Sequence, residues 1–346
     1  MMASEIQTTM KYHVLLRPHA NSRYQAGTLN LARAELIALL EKGGCPADVR
    51  RESAAGVDWL TFEAPRALSE AQRRLACLCA HLYVLFEEEG GALRPVCAQD
   101  AAYVGDDLPS VLKYKGKTNE TFTAFMLNLA LCASRFDADG PLTVLDPMCG
   151  RGTTPFAALN RGWNAIGSDQ DAASVDEAVK YFRRYLEYHR FKHETAEKSM
   201  TAGGKQAALL HVFQFARTPE RFREKDVRTL TLTCLSGERL GAVWRGPCCQ
   251  LIAADLPYGV QHGPGGGRRK SLEDMLDEVL PVWADLLHTG GAMALSFNVN
   301  TLRPEMVRGM MAGAGLDVMD GAAYEGLAHW VEQAITRDVA VGVRRF

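Results

Sequence analysis

The chain has 346 residues, of which 47% are hydrophobic and 23% are charged, and its formal net charge is −2. This composition is that of an ordinary globular protein, long enough for one large or two medium domains. A net charge near zero argues against a uniformly basic nucleic-acid coat protein, although it leaves room for a local basic patch. No apolar run approaches the roughly 18 residues of a membrane-spanning helix, and no signal peptide is recognisable. We therefore expect a cytoplasmic protein without a membrane partner.

The first part of the chain, to about residue 108, predicts a small α+β domain. Its apolar spacing predicts two short strands and a helix between them, at residues 12–16, 59–62 and 29–40. Residues 70–88 predict a second helix, because leucines recur there at intervals of three and four. An acidic and proline-containing stretch near residue 108 is typical of a linker. The predicted domains are therefore 1–108 and 109–346.

In the second domain, short apolar segments alternate with helical ones. The predicted strands lie at 142–146, 164–169, 250–255 and 292–297. This alternation predicts a mostly parallel sheet covered by helices on both faces, and residues 333–344 predict a terminal antiparallel strand. Residues 180–228 depart from the rhythm and carry 12 Lys and Arg against 6 Asp and Glu. We expect a basic insertion in that stretch.

A glycine-containing loop follows the strand predicted at 142–146. The letters DPMCGRGTT place Asp146 at the strand end and Gly150-x-Gly152 before a helix. Glycines let the backbone approach a ligand closely, and the N-terminus of the next helix presents unpaired N–H groups. Nucleotides bind in this way at the carboxyl ends of parallel strands. A tight turn without a ligand is the alternative for this loop taken alone.

A second carboxylate, Asp169, ends the next predicted strand, 17 residues after Gly152. This position suits hydrogen bonds from a ribose diol. A dinucleotide fingerprint requires a third glycine three residues after the second. Pro155 occupies that place, so the pattern disfavours NAD and FAD.

The letters QLIAADLPYG end a further predicted strand at Asp255. Pro257 fixes its own φ and pushes Leu256 toward an extended conformation. This turn can aim the Leu256 carbonyl into the crevice beside the Asp255 carboxylate. Two acceptors side by side suit a planar NH₂ group, because each takes one of its protons. A Pro-Tyr turn packed in the core is the alternative.

Such a pair of acceptors addresses a chemical difficulty. The exocyclic amine of a base is a poor nucleophile, because its lone pair is delocalised into the ring. Hydrogen bonds from both protons localise that lone pair, and Asp255 can accept the released proton. Tyr258 offers a face on which a base can stack, a contact worth about 1–3 kcal/mol.

The order of DPMCGRGT, GSDQD and DLPYG resembles the amino-directed class I S-adenosylmethionine-dependent methyltransferases. The nearest likeness is to the THUMP-associated group, which methylates the exocyclic amine of guanosine in tRNA or ribosomal RNA. YKGKTNETFTAFMLNLAL, which in that group folds over the site, and HANSRYQAGTLNLARAEL, near the N-terminus, are similar to its segments. The likeness covers about residues 112–346. Leu256 departs from it, because the family usually has a proline there.

This resemblance implies a Rossmann-like methyltransferase fold preceded by a ferredoxin-like α+β domain, with S-adenosyl-L-methionine as the cofactor. The residues implied to hold the cofactor are Asp146, Pro147, Met148, Cys149, Gly150, Gly152, Thr153, Thr154, Asp169 and Gln170. The residues implied to hold the target amine are Asp255, Leu256, Pro257 and Tyr258.

Beyond the target loop, the letters VQHGPGGGRRKS form a glycine-rich loop that carries Arg268, Arg269 and Lys270. Beside the site, these cations would contact phosphates or close over a flipped base. A solvated loop is an equal alternative. The basic stretch 180–228 is a second candidate for nucleic-acid contact, and no metal-ligand spacing accompanies it.

The sequence therefore predicts methyl transfer to an exocyclic amine of a nucleic-acid base, with guanosine in tRNA as the leading substrate. Two enzyme classes are alternatives, because both present a planar NH₂ to such a loop: DNA adenine or cytosine amino-methyltransferases, and protein-glutamine methyltransferases. A small-molecule methyltransferase is a third. A non-catalytic RNA-binding protein that retained the fold is an alternative of a different kind.

Overall fold

The computed structural model describes residues 9–18, 22–54, 56–96, 102–111, 117–202, 205–258 and 271–345. Contacts between Cα atoms divide the chain into two compact units. The first comprises residues 1–101 together with 320–336, and the second comprises 102–319 together with 337–346. The domain boundary expected at residue 108 stays a prediction.

The first unit is built on a five-stranded antiparallel sheet. Its elements are β1 (Met10–Leu16), α1 (Ser22–Lys42), β2 (Arg50–Ala54), β3 (Val57–Ala64), α2 (Glu70–Cys77), β4 (Leu82–Glu89) and β5 (Ala92–Pro95). The strand order is β2-β3-β1-β4-β5. Alternate residues of β1 are buried, and the ring of Tyr12 stacks on Phe62 with centroids 5.1 Å apart. Period-two burial is what a strand with one covered face requires.

The helix predicted over residues 70–88 is wrong in its second half. Only α2 forms there, and a capping box between Ser69 and Gln72 starts it. The chain then turns and continues as β4, which pairs with β1 and β5. Leu82 and Leu85 are buried on that strand, so pairing in the sheet overrides a leucine spacing that also fits a helix.

The second unit alternates strands and helices. Its first half contains α3 (Asp107–Val111), α4 (Glu120–Ala133), β6 (Thr143–Asp146), α5 (Thr153–Asn160), β7 (Asn164–Asp169), α6 (Ala172–Tyr188), β8 (Lys192–Ala202), β9 (Lys205–Ala216), α7 (Pro219–Arg223) and β10 (Arg228–Cys234). The stretch expected to hold a basic insertion thus contains the antiparallel pair β8 and β9 and the short helix α7. Directly after it comes β10, a parallel strand that the sequence patterns did not reveal.

The remaining elements, in chain order, are α8 (Leu240–Val243), β11 (Cys249–Asp255), α9 (Leu272–Leu286), β12 (Leu287–Asn298), α10 (Pro304–Gly313), β13 (Leu316–Val318), β14 (His329–Glu332) and β15 (Ile335–Arg344). Of these, β14 belongs to the first unit.

The large sheet has the order β13-β15-β12-β11-β6-β7-β10-β9-β8. Its five central strands, from β12 to β10, are parallel. The terminal strand β15 runs antiparallel to β12, as the alternating residues 333–344 predicted. The predicted fold class, a mostly parallel sheet with a terminal antiparallel strand and a smaller α+β part before it, is confirmed.

Helix starts in the second unit follow ordinary capping chemistry. Asn119 accepts from the backbone N–H groups of Thr121 and Phe122 at the start of α4, and Asp171 caps α6 in the same way. These caps set where each helix begins relative to the strand before it. Trp283 of α9 is fully buried in the core beneath β11 and β12.

Candidate active site

The predicted cofactor loop joins two adjacent parallel strands. Asp146 ends β6 and pairs with Gly167 of β7, and Asp169 ends β7 two residues later. The backbone N–H of Met148 donates to Asp146 Oδ1 at 3.0 Å, and that of Gly150 donates to Asp169 Oδ2 at 2.7 Å. The two carboxylates therefore lie on the two sides of the loop and hold its backbone.

The other predicted loop residues surround this frame. Pro147 and Cys149 are buried, and Met148 is half-buried. Thr153 and Thr154 form the buried first turn of α5, and Gln170, by contrast, is exposed. The loop thus presents backbone N–H groups and a helix N-terminus at the carboxyl edge of the sheet, which is where nucleotides bind in folds of this kind.

The Asp146 side chain has an altered acidity. Burial is the largest cause and raises the pKa of this carboxyl to about 7, with smaller contributions in the same direction from the charges of Asp169 and Asp255. Hydrogen bonds from the Met148 backbone and the Thr154 side chain act in the opposite direction. A carboxyl that titrates near neutrality is unusual, and such groups concentrate at functional sites.

Gly152 begins α5 in a conformation that only glycine adopts without strain, with φ +94°. A Cβ there would lie 3.0 Å from the Phe156 ring. We expect Gly152→Ala to lower the free energy of unfolding by about 1–3 kcal/mol, because both the backbone and the ring must shift. Gly309→Ala is the control, since Gly309 lies inside α10 with open space around it and alanine favours helix. Urea unfolding of the two variants tests this, and equal stabilities would contradict it.

The predicted target loop begins at the end of the neighbouring strand. Asp255 ends β11 and pairs with Ser296 of β12. The Leu256 backbone N–H donates to the Ser296 carbonyl at 2.9 Å, and the Leu256 side chain is buried. Pro257 is half-buried and follows in the turn. The turn is therefore anchored to the sheet at its first residue.

Tyr258 lies over this turn and faces Asp255. Its hydroxyl donates to Asp255 Oδ1, and the Arg337 guanidinium lies over its ring, 5.1 Å from the centroid. Burial, followed by the negative charge of Asp255, raises the pKa of the Tyr258 hydroxyl. The hydroxyl therefore stays protonated and acts as a donor.

Three residues around Asp255 were not identified from the sequence. Ser296 Oγ donates to Oδ1 at 2.7 Å, and Thr118 Oγ1 donates to Oδ2 at 2.6 Å. Arg337 Nη2 lies 3.6 Å from Oδ2. Thr118 belongs to the segment that the resemblance implied to fold over the site, but the sequence did not single out this residue. Ser296 and Arg337 are set by strand register, and no local motif marks them.

The two loops meet at one edge of the sheet. The strands β11, β6 and β7 are neighbours and parallel, so Asp255, Asp146 and Asp169 all end strands at the same edge. The negative charges of Asp169 and Asp255 contribute to the raised pKa of Asp146. The arrangement can hold a cationic or hydroxyl-bearing ligand on one side and a hydrogen-bond donor on the other.

The cations predicted to contact phosphates, Arg268, Arg269 and Lys270, lie outside the described residues. Within the described ranges, no group of three or more His, Cys, Asp and Glu side chains is placed to hold a metal ion. No helix in the described part of the chain is both long and apolar enough to cross a bilayer.

No family model matches the chain, and no curated protein matches it. Solved structures do match in fold. TrmN from Thermus thermophilus is 15% identical, with 97% of this chain and 99% of that one covered and a TM-score of 0.42. The rRNA methyltransferase aviRa from Streptomyces viridochromogenes is 17% identical, with 68% and 89% covered and a TM-score of 0.36.

A third match is the magnesium protoporphyrin IX methyltransferase of Synechocystis PCC 6803, solved with bound S-adenosylmethionine. It is 14% identical, with 65% of this chain and 77% of that one covered and a TM-score of 0.38. Each of these three structures is similar to this chain in its α/β architecture. Because each TM-score is below 0.5, the likeness concerns the class of fold alone, and the chemistry follows from the residues of this chain.

Proposed function

We propose that the protein transfers a methyl group from S-adenosylmethionine to an exocyclic amine of a nucleic-acid base, with guanosine in tRNA as the substrate, in the cytoplasm. The observation that carries the proposal is the position of Asp255 and its turn at the same sheet edge as the Asp146–Asp169 loop. The choice of RNA is supported by the resemblance of the segment around Thr118, and of the N-terminal part, to the THUMP-associated group.

The loop fits this cofactor in its chemistry. Asp146 would hold the cationic amino group, and Asp169 would accept hydrogen bonds from the ribose diol through the lone pairs that Gly150 and Asp171 leave unused. Gly152, with φ +94°, carries the backbone from this loop into the N-terminus of α5. When bound, S-adenosylmethionine supplies a methyl carbon attached to a positively charged sulfur.

The target loop prepares the amine. Asp255 accepts one proton of the NH₂ group in a hydrogen bond, and the Leu256 carbonyl accepts the other, so the nitrogen lone pair is directed away from the ring. On taking up the methyl group that S-adenosylmethionine would supply, the amine nitrogen would become cationic. Asp255 then takes the proton that the nitrogen releases. Positioning of the two reactants supplies much of the rate enhancement.

The ring and the hydroxyl of Tyr258 have separate roles, since the ring stacks on the base and the hydroxyl forms a hydrogen bond. We expect Tyr258→Ala to raise the KM for the nucleic acid by roughly 5- to 150-fold, because base stacking contributes about 1–3 kcal/mol. Tyr258→Phe keeps the ring and should change KM less than threefold. Tyr188→Ala is the control, since Tyr188 is 83% exposed on α6. Steady-state kinetics test this, and a loss in Tyr258→Phe equal to that in Tyr258→Ala would assign the effect to the hydroxyl.

The substrate class is tested by methyl transfer from tritiated cofactor to tRNA, ribosomal RNA, duplex DNA and a protein extract. We expect transfer to tRNA, with N²-methylguanosine found by mass spectrometry of the digested nucleosides. Transfer to DNA, to glutamine in protein or to a small molecule would replace the proposed substrate and keep methyl transfer. Absence of cofactor binding in calorimetry would reject the enzyme and favour a non-catalytic RNA-binding protein.

A further inference from the structure

Four side chains surround the Asp255 carboxylate. Oδ1 accepts from Ser296 Oγ and from the Tyr258 hydroxyl, and Oδ2 accepts from Thr118 Oγ1 and lies 3.6 Å from Arg337 Nη2. An ionised carboxylate offers about four lone-pair positions. Three hydroxyl groups therefore occupy three of these positions and the Arg337 guanidinium lies beside the fourth, so a target amine must compete with these groups for Asp255.

The four partners divide into two on the sheet and two outside it. Ser296 lies on β12 and is fully buried, and Arg337 lies on β15 opposite Asn298 of β12. Thr118, by contrast, directly precedes the first residues of α4, and Tyr258 follows the last residue of β11 in the turn. Strand residues are held by the ladder of hydrogen bonds, so the two residues outside the strands can move at lower cost.

Arg337 is an unusual neighbour for this carboxylate. It is 5% exposed, and its guanidinium lies 4.3 Å from the Phe122 centroid and 5.1 Å from the Tyr258 centroid. Among the described residues, its Nε has no hydrogen-bond partner. A buried guanidinium that is incompletely hydrogen-bonded is costly for stability. Its placement against Asp255 therefore indicates a task other than stabilising the fold.

We propose that Arg337 is the positioning residue of the target loop. It holds Oδ2 from the sheet side, while the positions now taken by the Thr118 and Tyr258 hydroxyls pass to the target amine. This rests on the proposed function and specifies how the same site receives its substrate: the NH₂ group enters from the side of α4 and the turn.

The charged and titratable groups that face Asp255 on this account are Arg337 from β15, Tyr258 from the turn and Asp146 from β6. Its remaining neighbours, Thr118 and Ser296, do not titrate. Arg337 is the one cation in this described set, so its removal disfavours the charged form of the carboxylate. The loss of activity in a variant should then depend on pH.

The test compares Arg337→Met, which removes the charge, with Arg337→Lys, which keeps it. We expect Arg337→Met to lower kcat at pH 7 at least 30-fold, with the cofactor Kd changed less than threefold. The rising limb of its kcat–pH profile should move to higher pH. In Arg337→Lys the rising limb of the kcat–pH profile should stay at the wild-type pH, and kcat should be at least fivefold higher than in Arg337→Met.

Arg344→Met is the matched control, because Arg344 lies on the same strand and bonds the Ala284 and Leu287 carbonyls away from the site. It should lower the melting temperature and leave the pH profile unmoved. If Arg337→Met also lowers the melting temperature and leaves the kcat–pH profile unchanged, Arg337 has only a structural role and the proposal fails.

A crystal structure of Arg337→Met gives a readout that does not depend on activity. We expect the Asp255 carboxylate to turn away from Ser296 Oγ, beyond hydrogen-bond distance. An unchanged carboxylate would overturn the assignment. If the wild-type protein transfers methyl groups to no nucleic acid, the proposed function fails, and this structural comparison still decides the role of Arg337.

Discussion

Replacing Asp255 by alanine should lower methyl transfer at least a thousandfold and leave the cofactor Kd within threefold of the wild-type value. The reason is that, on the proposed function, Asp255 contacts the amine and its released proton, while Asp146 and Asp169 hold the cofactor. Single-turnover transfer to tRNA and calorimetric titration with S-adenosylmethionine measure the two quantities. Asp255→Asn keeps an acceptor oxygen without the charge. Its rate of methyl transfer should therefore lie between the rates of Asp255→Ala and the wild type.

Asp169→Ala serves as the matched control, because Asp169 ends the neighbouring strand at the same edge of the sheet. It loses the acceptor for the Gly150 N–H, so we expect its cofactor Kd to rise at least tenfold. At saturating cofactor its rate should recover. If Asp255→Ala retained full activity, Asp255 would have no part in the chemistry, whatever the behaviour of Asp169→Ala.

Cofactor affinity should increase with pH between pH 5.5 and 7.5, by about 20-fold. Burial raises the pKa of Asp146 to about 7, and the ionised form is the one that attracts a cationic amino group. At pH 5.5 most molecules must lose the Asp146 proton before they bind, so binding releases a proton. Calorimetry at pH 6 in two buffers of different ionisation enthalpy detects that release. Asp146→Asn should bind more weakly and show a flat profile.

The same carboxyl has the opposite effect on the ligand-free fold. The pKa of Asp146 in the folded state lies above the ordinary aspartate pKa of 3.8, so between pH 3.8 and pH 7 the folded state binds more protons than the unfolded one. The contribution of Asp146 to stability is therefore favourable near pH 4 and is lost as pH rises to 7. Asp146→Asn should remove this decline in urea unfolding. A decline that persists in the variant would point to another group.

The sequence predicted the strand end at Asp146 and the turn that leads into α5. Asp146, Gly150 and Gly152 lie within seven residues, and their order carries the turn by itself. The parallel strands were likewise visible as short apolar runs between helices. Such features are local, because backbone freedom and hydrophobic periodicity depend on residues that are adjacent in the sequence.

The surroundings of Asp255 were not predictable in the same way. Ser296 and Arg337 lie 41 and 82 residues beyond Asp255 in the sequence, and they reach it only through the register of β12 and β15. The strand β10 was missed because its alternating threonines and leucines directly follow the basic stretch 180–228, which interrupts the alternation of strands and helices. Long-range pairing decides both cases, and no local pattern contains it.

The first unit is formed by two separate segments of the chain, residues 1–101 and 320–336. The second segment includes β14, which packs against α1. Deleting the first 101 residues would therefore leave β14 without the helix that covers it, immediately before the strand that carries Arg337. A truncated enzyme is best prepared by also replacing 320–336 with a short linker. Loss of activity after a simple N-terminal deletion would then be explained by the uncovered β14.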